Sequence, residues 1–403
     1  MSQPSWNGAA APAFEDTTPA TPAAEPGEHR LDIRFTGSGS EYFRIWIVNL
    51  LLIIVTLTLY YPWAKVRRLR YFYGNTLVGG QPLDFHGSPT KMLRGYLLVG
   101  ALGVLYSVAG NFSPAAGLVA FLIVAAIWPA LLKSSMQFRL ANTSWRGLRF
   151  RFNGSLGGAY RAMLPLFVPG LCIVVALLGV ENRQAPPAWY GALFLIVMLL
   201  TLALGPWLWW SLKKYQHDHY ALGQWQTELR AGKGSFYGVF AKTFGVFVLA
   251  IAATSMLIGI LVAIGGVGGL LAGGKDNVMV GVIIGFAIGG VAMLAAQIVP
   301  RPYFTSRLQN LLWSRTANPT MQFASELRFR PLLGLTLKNW LLMVVTLGLY
   351  WPFAAVAMQR MRIEAVSVTT QTDPDSLVDQ CRSEQGDAAG DAAGDLFGLD
   401  IGL

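Results

Sequence analysis

Residues 49–71 read NLLLIIVTLTLYYPWAKVRRLRY. An uninterrupted apolar run ends in Tyr60, Tyr61, Pro62 and Trp63 and passes at once into Lys65, Arg67, Arg68 and Arg70. Tyr and Trp settle at the headgroup level of a bilayer, and Lys and Arg beside a helix end resist translocation. The stretch therefore reads as membrane-embedded helix with its basic end in the cytosol. The whole chain repeats that pattern. Of its 31 Lys and Arg, 23 lie in four loops, about 64–94, 133–161, 213–242 and 301–338, which hold six, six, five and six of them. The only acids in those loops are Asp84, Asp218, Glu228 and Glu326. The alternate connections, near 111–116, 181–188 and 273–277, have Arg183 and Lys275 as their only basic residues.

Composition agrees, since 54% apolar and 13% charged residues is far from the roughly 25% charged of soluble domains. The net charge of +10 is a loop property, and it fits anionic lipid headgroups at the cytoplasmic face. Nucleic acid is not an expected partner, because the basic residues are dispersed and accompany no nucleic-acid-binding pattern. Cys172, in an apolar run, and Cys381, in the tail, occupy environments too different to suggest a disulfide.

A helix needs about 20 apolar residues to cross the hydrocarbon layer. Six stretches qualify, about 95–111, 115–132, 162–180, 189–212, 244–272 and 278–300, the first two being divided at Asn111–Pro114. An even number of spans returns both flanks to the cytoplasm. Outside them, 1–29 is an Ala-, Pro- and Thr-rich segment without the basic start and apolar core of a signal peptide. Residues 363–403 carry nine acids against Arg382. Neither can bury enough apolar surface to offset its ordering entropy, so both read as disordered tails around a membrane domain at 30–362.

Internal repetition organises that domain. At an offset of 67, Pro62, Asn75, Thr76, Gly80, Phe85, Gly87, Ser88 and Arg94 recur as Pro129, Asn142, Thr143, Gly147, Phe152, Gly154, Ser155 and Arg161. Within the unit, Leu148-Arg149-Phe150-Arg151-Phe152 alternates with the period of a strand, and a Gly-containing turn precedes it, which predicts a small cytoplasmic β-hairpin. Weaker copies run from Pro206 to Ser235 and from Pro302 to Arg330. At an offset of 290, Asn49, Thr56, Leu57, Tyr60, Pro62, Ala64 and Arg70 recur as Asn339, Thr346, Leu347, Tyr350, Pro352, Ala354 and Arg360. Full crossings at 45–64 and 339–359 would carry Arg360 and Arg362 to the wrong side. Half-helices broken at Thr-Leu-x-Leu-Tyr-x-Pro keep every basic flank inside, although such a break needs protein or water partners for its backbone. The expected architecture is an all-α polytopic membrane protein with six transmembrane helices, two re-entrant or additional spanning segments, small cytoplasmic β-hairpin-like loops and internal repeats.

The run from Asn49 to Tyr71, followed by Asn75-Thr76 and Phe85-His86-Gly87-Ser88, is similar to the YjgN family of bacterial inner-membrane proteins, the domain of unknown function 898. The resemblance extends from about Phe35 to Arg362, with Phe353 and Ala357 in the second copy where the first has Trp63 and Arg67. It implies the inner membrane of a Gram-negative bacterium and carries no activity, cofactor or catalytic residue.

Residues that bear chemistry are scarce. His217-Asp218-His219 puts two imidazoles at positions that diverge on a helix, with no third metal ligand nearby. His86 is replaced by Asn153 in the second copy and reads as a polar turn residue. No phosphate-binding loop, nucleophile elbow or intramembrane acid pair is present, so no enzymatic activity, metal or cofactor is expected. The spans also lack the ionisable residues usual in proton-driven carriers, leaving Asn49, Ser107, Thr201, Thr254, Ser255, Gln297 and Asn339 as polar candidates. Transport of a neutral or amphipathic solute fits the repeated hairpins. A lipid-interacting scaffold is the alternative, with Trp63, Lys65, Arg67, Arg68 and Arg70 as its interface.

Gly281, Gly285 and Gly289 form a smooth stripe on one helix, and Gly265 and Gly269 a similar surface on the preceding one. Small residues let helix backbones approach closely in lipid, either within a chain or between copies in a homo-oligomer. Gly285→Leu is expected to lower the melting temperature in detergent clearly more than Ile284→Leu, a volume-neutral control. Equal melting of the two variants would remove the packing role.

Overall fold

The computed structural model describes residues 29–371 apart from 181–186, 224 and 272–297, together with Asp373, Asp375, Ser376, Val378 and Asp379. Its strands are β1 (His29–Phe35), β2 (Thr76–Val78), β3 (Gln81–Phe85), β4 (Thr143–Trp145), β5 (Leu148–Phe152), β6 (Tyr220–Leu222), β7 (Trp225–Gln226), β8 (Glu228–Leu229), β9 (Thr316–Ala317), β10 (Met321–Ser325) and β11 (Val366–Thr370). Its helices are α1 (Gly39–Val55), α2 (Tyr61–Gly74), α3 (Pro89–Phe112), α4 (Pro114–Ala141), α5 (Leu156–Ala176), α6 (Ala188–His217), α7 (Lys233–Leu271), α8 (Pro300–Trp313), α9 (Phe329–Val345) and α10 (Trp351–Glu364).

The strands form one eleven-stranded sheet in the order β7-β6-β5-β4-β3-β2-β1-β11-β10-β9-β8. Isolated hairpins and an all-α label do not describe this arrangement. A lone two-stranded hairpin leaves both edges unpaired and is marginal in water, whereas here each hairpin pairs with the next, as in Phe85↔Thr143 and Phe152↔Tyr220. The first and last strands are neighbours, with His29 opposite Thr370 and Asp32 opposite Ser367. The sheet's two ends, β7 and β8, are separated in the chain by Thr227 alone. The sheet therefore comes round into a ring closed by a covalent link.

One local grammar builds each segment of the ring. Pro62, Pro129, Pro206, Pro302 and Pro352, all buried, stand fourteen residues before Thr76, Thr143, Tyr220, Thr316 and Val366, the first residues of β2, β4, β6, β9 and β11. At the helix-to-strand junction the Thr hydroxyls donate to the last helical turn: Thr76 to the Phe72 carbonyl, Thr143 to Arg139 and Thr316 to Leu312, each at 2.7 Å. Asn75 and Asn142 donate their side-chain amides to the carbonyls of Tyr71 and Phe138, at 2.8 and 2.7 Å. These bonds satisfy carbonyls that a helix end leaves without intrahelical partners, which is the physical content of the Asn-Thr repeat.

The strand-to-helix junction explains Phe-x-Gly-Ser, which occurs at 35–38 as well as at 85–88 and 152–155. Phe35, Phe85 and Phe152 are buried, and each ring lies against its Gly. A Cβ on Gly154 would stand 2.5 Å from the Phe152 ring and 2.6 Å from the Tyr215 hydroxyl. Ser38 and Ser155 then cap the following helices, accepting from the amides of Glu41 and Gly158 at 3.3 and 3.0 Å.

Among the described residues, Pro89–Phe112, Pro114–Ala141, Leu156–Gly179, Ala188–His217 and Lys233–Met256 are long and apolar enough to cross a membrane. In their most apolar windows at most 28% of residues are buried inside the protein, as expected where lipid tails cover the rest. The expected span at 278–300, with Gly281, Gly285 and Gly289, lies almost wholly outside the described residues, as do the surroundings of Gly265 and Gly269 on the last turns of α7. Among the described helices, packing follows chain order around the ring, from α1 on α2 through α9 on α10, and α10 on α1 completes the circuit.

The chain stays in the sheet as far as Thr370, eight residues past the edge that charge alone gives to the membrane domain. Beyond it Val378 is buried against Trp145, Leu148 and Leu222, and Asp375 pairs with Arg146. Val378 thus gives the apolar side chains of these strands an apolar partner from the acidic segment.

The two Thr-Leu-x-Leu-Tyr turns share their bonds. Thr56 donates to the Leu52 carbonyl at 2.7 Å and accepts from the Tyr60 amide at 3.0 Å; Thr346 does the same with Leu342 and Tyr350 at 2.6 and 3.0 Å. Leu57 (φ 48°) and Leu347 (φ 50°) take the left-handed conformation, followed by Thr58 (φ 72°) in one copy and Gly348 (φ 89°) in the other. A hydrogen bond contributes about 0.5–1.5 kcal/mol net, so Thr56→Val and Thr346→Val are each expected to cost about 1 kcal/mol in chemical denaturation. Thr336→Val is the control, since Thr336 donates to the Leu332 carbonyl without receiving an amide at a turn. Equal stability of all three variants would show that the turns do not depend on these hydroxyls.

Candidate functional site

A chamber of about 300 Å³ lies where the helix ends meet the ring of strands. Tyr73, Phe150, Trp225, Trp313 and Phe323 give it an aromatic wall, and Arg139, His217 and Thr316 supply polar groups. His217 is buried, and its Nδ1 meets the Thr316 hydroxyl at 2.9 Å. His219 turns the other way, to the Tyr215 carbonyl at 2.8 Å. The two imidazoles therefore diverge, and no group of three metal-ligating side chains exists among the described residues. His86 bonds the Ser144 hydroxyl at 2.8 Å, across adjacent strands.

Next to this chamber the inward helices bring cations together. Lys65 stands three residues after Pro62, Lys213 seven after Pro206, Arg139 ten after Pro129 and Arg362 ten after Pro352. Positions three, seven and ten residues on share one helix face. The equivalence of the five prolines therefore turns these side chains, from four helices, toward one another. Arg139 and Arg362 both act electrostatically on Lys213, and Arg139 and Arg68 act on Lys65. Burial, reinforced by those two guanidinium groups, holds the Lys65 pKa below its usual value. Burial also lowers the pKa of Arg362 and raises that of Tyr220, against an opposing effect of Arg139.

Two of these cations have amide partners, and Arg139 donates to the Met136 sulfur at 3.2 Å. Lys213 donates to Gln216 Oε1 at 2.9 Å, and Arg362 Nε to Gln309 Oε1 at 2.9 Å, while Gln309 returns a bond to the Arg362 carbonyl at 2.7 Å. Among the described residues no carboxylate forms an ion pair with Lys65, Arg139, Lys213 or Arg362. Amide oxygens orient a cation without neutralising it, so the cluster keeps a positive charge in partly desolvated surroundings and can hold an anion.

The interface residues expected from the sequence divide between two faces of α2. Lys65 turns toward the cluster. Arg67 and Arg70 are exposed, Arg67 lying 5.7 Å from the Tyr60 ring and reaching Asn49 Oδ1 at 3.4 Å. Arg68 bridges Phe72 and Trp351, at 5.7 and 5.4 Å from the ring centres, and Trp63 stacks on Tyr60 at 6.0 Å. Arg139, Lys213 and Arg362 look like ordinary loop-flanking charges in the sequence. Counting from the five prolines is the signal that separates them from the rest.

Comparison with known proteins places the chain among bacterial inner-membrane proteins. The inner membrane protein YjgN of Salmonella typhimurium strain LT2 is 27% identical over 372 residues, which cover 87% of this chain and 90% of that protein. The inner membrane protein YjgN of Escherichia coli K12 is 30% identical over 174 residues, 42% of this chain and 43% of that protein. No solved structure matches significantly. The profile of a family described as bacterial protein of unknown function (DUF898) matches residues 30–396. This chain therefore belongs to that family, the YjgN family, and is a multi-pass protein of the bacterial inner membrane.

Proposed function

We propose that the protein moves an amphipathic solute with an anionic head along the axis of its ring. The observation that carries this reading is the pairing of an aromatic chamber with four cations, none in an ion pair with a carboxylate among the described residues and two of them, Lys213 and Arg362, bonded to amides. The chamber wall accommodates an apolar body. The cluster receives a negative group, whose arrival relieves the repulsion among Lys65, Arg139 and Lys213. Val378, buried against Trp145, Leu148 and Leu222, acts as a stopper at the strands.

The topology belongs to the same proposal. The sheet, the basic loops and both tails lie in the cytoplasm, and six helices span the membrane. The α1–α2 and α9–α10 pairs are re-entrant. Both pairs begin and end at the sheet, and α1, with 17 residues, rises about 26 Å at 1.5 Å per residue, short of the hydrocarbon thickness of about 30 Å. A fluorescent reporter that matures only in the cytoplasm is expected to glow when fused at either end of the chain. A periplasm-dependent enzyme fused at the C-terminus is expected to stay inactive, and its activity would overturn the topology.

Transport is tested in proteoliposomes with radiolabelled dodecyl phosphate. Lys213→Met or Arg362→Met is expected to lower uptake about tenfold, since one hydrogen bond to a charged group contributes about 1.5–3 kcal/mol and 1.4 kcal/mol is a factor of ten. Removal of residues 372–403 is expected to raise it. Uptake that equals empty liposomes, or that ignores both substitutions, would sink the transport reading. The lipid-scaffold reading rests on the exposed Arg67 and Arg70, and predicts that replacing both with Gln reduces the anionic lipid that co-purifies.

A further inference from the structure

Residues 290 positions apart occupy equivalent places on the two short hairpins, and one difference between them leaves a group without a partner. Asn49 and Asn339 are 5% and 4% exposed. Asn49 Oδ1 accepts from Arg67. The position equivalent to Arg67 is Ala357, and Asn339 Oδ1 is buried with no hydrogen-bond partner among the described residues. A buried acceptor left unpaired loses its bonds to water without replacement and is destabilising.

A cavity of about 460 Å³ lies between α8, α9 and α10 and is bordered by Asn339. Where the first copy has Trp46, Lys65 and Arg68, the lining of this cavity has Thr336, Ala355 and Met358. The second hairpin has thus exchanged an indole and two cations for smaller or uncharged side chains, and a third cation for Ala357. Arg301 and Arg362 face the same cavity, and both are positive, so they disfavour a ligand that is only a cation.

We infer that this cavity binds a zwitterionic amino-phosphate group, with its ammonium donating to Asn339 Oδ1 and its phosphate between Arg301 and Arg362. The ammonium supplies the N–H donor that Arg67 provides in the first copy. Trp340 and Met343, also in the lining, give an apolar wall along which a lipid tail can run. An ethanolamine phospholipid and free phosphoethanolamine share this chemistry. The site is separate from the axial chamber, with Arg362 common to both neighbourhoods.

The test uses the full chain in nanodiscs and native mass spectrometry of the lipid retained after extraction. Wild type is expected to retain ethanolamine phospholipid at least fivefold over choline phospholipid of the same tails, because a quaternary ammonium has no N–H to donate. Ala357→Arg returns the guanidinium of the first copy and is expected to abolish that preference. Asn339→Leu removes the acceptor at similar volume and is expected to abolish it too, with no loss of thermal stability, which covers the case in which the arginine variant does not fold. Calorimetry with phosphoethanolamine distinguishes the sources: heat that disappears in Asn339→Leu, without lipid preference in wild type, assigns the site to the soluble molecule. Equal retention of the two lipids together with no such heat, or a preference that survives Asn339→Leu, would overturn the inference.

Discussion

The pairing of β1 with β11 is the contact on which the rest of the structure depends. It joins the first strand to the last, and without it the sheet would be an open ribbon with two exposed edges at its middle. Four residue pairs form the register, from His29↔Thr370 to Asp32↔Ser367, and each net backbone hydrogen bond contributes on the order of 1 kcal/mol. The larger consequence is geometric. With β1 held against β11, α10 packs on α1, and every inward helix takes its orientation from the strand that follows it. The axial cluster is therefore a product of ring closure, since its cations come from α2, α4, α6 and α10.

Repetition supplies the scaffold and divergence supplies the chemistry. The five buried prolines keep the inward helices in phase, so a side chain at three, seven or ten residues beyond any of them faces the same axis. Gln309, seven after Pro302, occupies that face in the remaining unit and bonds Arg362. Had all five units carried a cation there, mutual repulsion in a partly desolvated space would oppose folding. Amide residues at some positions let the others remain charged. The same logic separates the two short hairpins, whose turns share their hydrogen bonds while the surroundings of Asn49 and Asn339 differ.

Much of this was legible along the chain, for reasons that are local. Apolar runs bounded by Trp, Tyr, Lys and Arg reflect the polarity of a bilayer, which acts on each segment separately. Asn75-Thr76 and Phe85-x-Gly87-Ser88 reflect helix ends and close approach, which are settled within a few residues. The strand alternation at Leu148–Phe152 was visible for the same reason. The partner of each strand was not, because pairing depends on residues far away, as in Arg34↔Leu77 and Met321↔Thr370. Nor was the reach of the sheet to Thr370, since an acidic composition hides a short strand whose stability comes from its neighbours.

By itself the sequence determined that this is a multi-pass inner-membrane protein of the YjgN family, with basic loops segregated from apolar runs and a unit that recurs. Those properties follow from the energy of single segments in lipid and water. Only the tertiary structure decided that the strands form one closed ring, that Lys65 parts company with Arg67 and Arg70, and that Lys65, Arg139, Lys213 and Arg362 meet. The reason is that convergence on an axis depends on the relative rotation of helices from separate units, and that rotation is set by strand pairings distant in the chain.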